Sequence, residues 1–338
     1  MLWKKGLQLG VFLLLFLAGW KLASYRRPLP TQFLSPLASV KTEEADGEVS
    51  QQQAVAAALS EAAKIWHPDV TKVFKNAAVV ADEPEMNGTS ALVVDASTEK
   101  VLFAHEPKRR QQVASTVKIM TAVVVLDHAS PDKVLSVSSQ AVKRTEASGN
   151  LMGVSAGEKY TVKELLYGLM LPSGNDAAET LAEGLAGDRK KFVDWMNLKA
   201  KFLGMADTRF ADPSGLADPG DEDQYSSAYD LVVLTYYALK KYPVLKEIVG
   251  TEEYQIEATG DHKDIYLSNM TNLLDTYPGV YGVKPGYNDY SGLCLVTACR
   301  NGGYDLLAVV LGSNDRRGDM RALLDYSFAQ LGVEVSGQ

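Results

Sequence analysis

Residues 114–122, ASTVKIMTA, set a serine three positions ahead of a lysine at the start of an apolar run. Apolar residues continue at helical spacing, which predicts a helix over 115–129 with Ser115 at its opening. On a helix, positions i and i+3 share a face about 5–6 Å apart, so Ser115 and Lys118 meet there. A serine nucleophile needs a base within hydrogen-bond reach. Lys118 lies among apolar neighbours that disfavour its charged form and pull its pKa down, which makes it a usable base. The helix N-terminus adds unpaired N–H groups that favour negative charge developing on the serine or on a bound oxyanion. The spacing alone is not selective, because Ser97/Lys100 and Ser130/Lys133 repeat it. Ser97 falls in a hairpin turn and Ser130 precedes a proline in a loop, so neither pair shares a helical face. Taken alone, Ser115 also reads as an ordinary N-cap.

Upstream of this helix, residues 90–95 (SALVVD) and 100–104 (KVLFA), joined by a turn at 96–99, predict a strand hairpin. Downstream, the periodicity predicts helices at 162–171, 176–185, 190–203 and 228–240. Strands return at 282–287, 293–299 and 306–311, before a closing helix at 319–330. Strands at both ends with helices between them imply an α/β protein of the α+β kind. Its antiparallel sheet is built from both ends of the domain, with an inserted helical lobe and a cleft where lobe meets sheet.

Two further elements carry chemistry. Ser173-Gly174-Asn175 stands between two predicted helices, where a hydroxyl and an amide on one loop can relay a proton and hold a substrate amide. Ser148-Gly149-Asn150 repeats the tripeptide, and either copy also reads as a plain helix-start turn. Lys284-Pro285-Gly286-Tyr287 lies on the first late strand. A lysine on the cleft edge of a strand offers a fixed positive charge to a carboxylate, and a glycine lets substrate approach the backbone.

In this order the elements resemble the S-x-x-K, S-x-N and K-T-G series of penicillin-binding proteins and serine β-lactamases. The neighbouring text, YTVKELLYGLMLPSGNDAA at 160–178, DPSGL at 212–216, YSSAYD at 225–230, TNLL at 271–274 and YPGVYGVKPGY at 277–287, is similar to the low-molecular-weight D-alanyl-D-alanine carboxypeptidases over residues 88–332. The resemblance implies a DD-peptidase/β-lactamase-like fold and an acyl-enzyme mechanism on peptidoglycan stem peptides, with β-lactams as inhibitors and no cofactor. It implies Ser115 as nucleophile, Lys118 as its base and Ser173 as the proton relay. Asn175 would orient the substrate amide, Lys284 and Gly286 would serve substrate binding, and the N–H groups of Ser115 and Tyr287 would form the oxyanion hole. Pro285 departs from the family's usual threonine. An endopeptidase of the same family, a catalytically weakened peptidoglycan- or β-lactam-binding module and a β-lactamase remain alternatives at this stage.

The chain has 338 residues, 46% hydrophobic and 22% charged, enough to bury a sizeable core. A net charge of −8 with no Lys/Arg stripe argues against a nucleic-acid partner. His67, His105, His128 and His262 show no metal-ligand spacing and read as exposed loop residues, which argues against zinc or Ser-His-Asp chemistry. Cys294 and Cys299 share one predicted strand at a spacing that sets them on opposite faces, so they read as buried free thiols. Lys4 and Lys5 precede an apolar run at 6–20 with no clean cleavage site after it, which reads as export with an uncleaved anchor. The expected organisation is a membrane anchor or signal at 1–27, a linker or stalk with a short helix at 28–87, and an extracytoplasmic catalytic domain at 88–338.

Overall fold

The hairpin forms as read: β1 (Ser90–Asp95) and β2 (Lys100–His105) pair antiparallel. Asp95 closes the turn, its Oδ1 accepting from the N–H and hydroxyl of Ser97 (3.1 and 2.6 Å). The other neighbour of β1 is the last strand, β9 (Tyr304–Ser313). β9 pairs with β8 (Gly292–Asn301), and β8 with β7 (Val280–Asn288), all antiparallel. The order β2-β1-β9-β8-β7 therefore joins the two ends of the domain at the centre of one sheet and leaves β7 on its edge. This computed structural model describes residues 65–79, 82–216, 224–271 and 273–335.

Helices cover both faces of the sheet, so its strands read as continuous apolar runs rather than alternating ones. On one face Ala91, Val93, Leu306, Ala308 and Val310 join Met320, Leu323, Leu324 and Phe328 of the closing helix in a single core cluster. By strand alternation Leu92, Val94, Leu307 and Val309 face the other way, and all four are buried.

The inserted lobe is built on α1 (Lys118–His128), buried from Lys118 to Val125. Around it lie α2 (Ser139–Thr145), α3 (Val162–Met170), α4 (Asn175–Ala186), α5 (Arg189–Phe202), α6 (Ala228–Lys241) and α7 (Pro243–Val249); α8 (Arg316–Gln330) closes the chain. Local chemistry fixes several starts. Thr161 and Glu164 form a reciprocal capping box on α3, while Asp188, Ser227 and Asp315 cap α5, α6 and α8. Two ribbons, β3 (Val134–Ser136) with β4 (Lys159–Thr161) and β5 (Glu253–Ile256) with β6 (Ile265–Ser268), are too short to show a period in sequence.

Two sequence expectations change. The sequence predicts a linker at 28–87 with little that can pack, yet residues 65–79 and 82–87 lie against the domain. Trp66 is buried with its ring 4.7 Å from that of Tyr236, Val73 bridges Val101, and the Phe74 N–H reaches the Val101 carbonyl at 2.7 Å. Two histidines are not exposed loop residues. His128 ends α1, stacked on Trp195 at 4.0 Å, and His262 is buried against Tyr160 at 4.4 Å. Both cysteines are buried, free and on β8. The anchor at 1–27 and the helical patch at 50–64 lie outside the described residues.

Candidate active site

Ser115 enters the site on a 3₁₀ turn, Ala114–Val117, that runs directly into α1. In a 3₁₀ turn positions i and i+3 eclipse, and Lys118 Nζ accordingly lies 3.1 Å from Ser115 Oγ. The turn is held by Thr116, whose hydroxyl donates to the Val113 carbonyl at 2.8 Å. Ala114 stands at φ 46°, a left-handed conformation that costs a residue with a Cβ about 1–3 kcal/mol and is maintained by its surroundings. Those surroundings are close. A Cβ placed on Gly215 would come within 2.1 Å of the Ala114 carbonyl oxygen, so only glycine permits this approach.

Lys118 is fully buried, and burial pulls its pKa down to about 7 against the opposing field of Asp212, Asp176 and Glu179. Its other two partners are Asn175 Oδ1 at 2.7 Å and the Ser214 carbonyl at 2.5 Å. Both of these only accept, whereas the Ser115 hydroxyl can donate. A neutral amine has two N–H bonds for the two acceptors and one lone pair left for the serine proton. The arrangement therefore suits Lys118 as a proton acceptor.

Asn175 opens α4, placed there by Gly174, whose N–H donates to the Gly168 carbonyl at 2.9 Å. The Asn175 N–H donates to the Asn150 carbonyl at 2.9 Å, so the repeated Ser148-Gly149-Asn150 tripeptide supports the site from behind. Asp176 fastens the same loop, accepting from the N–H groups of Met152, Gly153 and Val154 at 2.7, 2.8 and 3.1 Å. Ser173 is buried at φ 64°, and its hydroxyl has no hydrogen-bond partner among the described residues.

β7 brings the third element. A Cβ on Gly286 would lie 3.0 Å from the Val113 carbonyl oxygen and 3.1 Å from Ser115 N, so the strand passes directly beside the nucleophile's backbone. Pro285 pairs with Leu295 on the edge strand and has no N–H to give. By the period of two, Tyr287 presents its N–H on the same side as position 285, toward the open edge. Its side chain leaves the site, 60% exposed, with the hydroxyl donating to Asp289 Oδ1 at 3.0 Å. Lys284 is fully buried and its Nζ lacks a hydrogen-bond partner among the described residues. Burial first, then the fields of Lys118 and Arg316, hold its pKa well below the ordinary lysine value.

Three contributors escaped the sequence reading. Ser214 supplies a carbonyl to Lys118, Asp212 shapes that loop by accepting from the Ser214 and Gly215 N–H groups (2.6 Å each), and Arg316 donates to the Gly286 carbonyl at 2.8 Å. Asp-Pro-Ser-Gly carries an Asx-turn signature that foretells the loop's shape, although not what its carbonyl faces.

Residues 77–315 match the D-alanyl-D-alanine carboxypeptidase family, and the chain belongs to it. It is 35% identical over 248 residues to the D-alanyl-D-alanine carboxypeptidase DacF of Bacillus subtilis, covering 71% of this chain and 62% of that protein. It is 34% identical over 223 residues to a D-alanyl-D-alanine endopeptidase of Escherichia coli, covering 65% of this chain and 69% of the relative. The crystal structure of the Streptomyces K15 DD-transpeptidase superposes with a TM-score of 0.69 at 29% identity, covering 74% of this chain and all of that one. The fold is thus that of the DD-peptidases.

Proposed function

We propose that the protein is a serine-type D-alanyl-D-alanine carboxypeptidase that trims peptidoglycan stem peptides. The observation that carries the reading is Lys118, buried, brought down to about 7 and 3.1 Å from the Ser115 hydroxyl. Lys118 Nζ takes the Ser115 proton as Oγ attacks the carbonyl carbon of the penultimate D-alanine. The oxyanion is received by the N–H groups of Ser115 and Tyr287. As the C–N bond breaks, the proton reaches the departing D-alanine amine through the Ser173 hydroxyl, whose free valence suits a relay. Water then hydrolyses the ester by the same steps in reverse. Lys284, whose Nζ has no hydrogen-bond partner among the described residues, gains one when the substrate's terminal carboxylate arrives, and that opposite charge favours its ammonium form. Asn175 holds Lys118 through Oδ1 and offers its Nδ2 to the substrate amide.

Incubation with a pentapeptide muropeptide should release D-alanine, and a fluorescent penicillin should label the protein covalently. Ser115→Ala should abolish both, while Ser97→Ala and Ser130→Ala leave them intact. Labelling that persists in the Ser115 variant would reject the mechanism. Cleavage of cross-linked dimers in preference to pentapeptides would favour the endopeptidase reading, for which Pro285 and the Escherichia coli relative give grounds.

Placement at the outer face of the cytoplasmic membrane, tethered through residues 1–27, is part of the same proposal and rests on the basic and apolar order of that segment. No helix among the described residues is long and apolar enough to cross a membrane. Recovery of a mature chain that begins after Ala23 would reject the tether.

A further inference from the structure

Among the described residues few large apolar side chains are exposed, and the two most exposed are Tyr290 at 71% and Tyr287 at 60%. They stand three residues apart at the tip that joins β7 to β8, directly beyond the glycine that passes Ser115. Exposed aromatic rings on a turn beside a cleft are the kind of surface that marks a binding site. The tip is held in one shape. Asn288 Oδ1 accepts from the N–H groups of Tyr290 and Ser291 at 3.1 and 2.7 Å, and the Asn288 N–H donates to Ser291 Oγ at 3.2 Å. The Tyr287 hydroxyl is fixed on Asp289. Rings on a preorganised tip lose little freedom when they bind.

The direction of the bound substrate follows from the site. With its terminal carboxylate at Lys284 and its reacting carbonyl at the Tyr287 N–H, the leaving D-alanine, one residue or about 3.5–4 Å long, lies on the Lys284 side of Tyr287. The rest of the stem continues past Tyr287 toward the tip. Four extended donor residues reach about 13 Å, which brings the sugar that carries the stem to the neighbourhood of Tyr290. The C–H faces of an amino sugar match a tyrosine ring, which offers an apolar body with a polar end.

We infer that Tyr287 and Tyr290 form a platform for the amino-sugar portion of peptidoglycan, so that stems still attached to glycan are preferred over free peptides. The inference rests on the carboxypeptidase reading for the direction of the stem. Its test compares D-alanine release from a disaccharide pentapeptide and from the same pentapeptide without sugar. Tyr290→Ala should lower kcat/KM on the sugar-bearing substrate about three- to tenfold, through KM, leave the sugar-free substrate unchanged, and be restored by Tyr290→Trp. An unchanged preference, or an equal fall on both substrates, would overturn the platform. Release from the sugar-free peptide by the unaltered protein tests the carboxypeptidase reading separately. Co-sedimentation of peptide-free glycan chains with the Ser115→Ala protein needs no turnover. It should weaken when Tyr290→Ala is added, and equal binding with and without Tyr290 would also overturn the inference.

Discussion

Two acceptors and one hydroxyl around Lys118 decide which protonation state works. Below about pH 7 the amine carries a proton, has no lone pair for Ser115 and is idle; above it the base is free. Acylation by a chromogenic β-lactam should therefore rise about tenfold per pH unit below 7 and level off above it. Asn175→Asp puts a carboxylate where an amide oxygen now accepts from Nζ at 2.7 Å. An opposite charge at that distance favours the ammonium form, so the lysine pKa rises. The midpoint of the acylation profile should move up by at least one unit, with the rate at pH 7 falling about tenfold or more. A midpoint that stays near 7 would show that Lys118 is not the group being titrated. The Ser115 and Lys118 pair was legible in the sequence because a spacing of three has one geometric meaning on a helical turn. The Ser214 carbonyl was not, since every residue carries one and only the folded loop directs it.

The edge strand β7 shows how one element can keep its place while changing its chemistry. Pro285 would break a ladder in a central strand, but on this edge its missing N–H faces the cleft, so β7 pairs with β8 from Gly282 to Asn288 without interruption. The resemblance implies a threonine hydroxyl at this point, beside Lys284, to bind the substrate carboxylate. A hydrogen bond to a charged group is worth about 1.5–3 kcal/mol, or about ten- to a hundredfold in efficiency. Pro285→Thr should raise release of terminal D-alanine more than it raises cleavage of cross-linked stems, as measured with purified muropeptides of both kinds. A ratio that does not move would mean that another group already holds the carboxylate, and Arg316, beside the Gly286 carbonyl, is the nearest candidate. The helices α3, α5 and α6 were readable within a few residues because their apolar period is sustained, and β8 and β9 because each is a near-continuous apolar run. α2, α7 and the two small ribbons were not, because three to seven residues carry too little periodicity.

At the scale of the whole molecule, the sheet depends on segments far apart in sequence meeting at its centre, and Asp319 on α8 is one of the joints. Its carboxylate accepts from the Asn87 and Gly88 N–H groups, each at 2.9 Å, and from the Ser313 hydroxyl at 2.6 Å. The residues leading into β1, the end of β9 and the closing helix thus share one buried side chain. The stretch before β1 reads as linker in sequence because it is rich in Ala, Glu, Gln and Pro and offers little that can pack. A strap needs none, since it is held by single contacts such as Trp66 on Tyr236 and the Asn76 N–H on Gln330 Oε1 at 2.8 Å. Removing the Asp319 carboxylate leaves four donors without their acceptor, the Asn87 N–H and Nδ2, the Gly88 N–H and the Ser313 hydroxyl, and each of the last two, which are buried, costs about 1–3 kcal/mol when unsatisfied. Asp319→Ala should therefore lose at least about 2 kcal/mol, lowering Tm by roughly 4–8 °C for a domain of this size. Asp319→Asn keeps one acceptor and should lose less. Penicillin labelling well below the melting transition should persist in both variants, because none of these contacts touches Ser115, Lys118 or Ser173. Thermal unfolding followed by circular dichroism reads the effect directly, and a melting temperature unchanged in Asp319→Ala would show that water replaces the joint and that the termini are held by strand pairing alone.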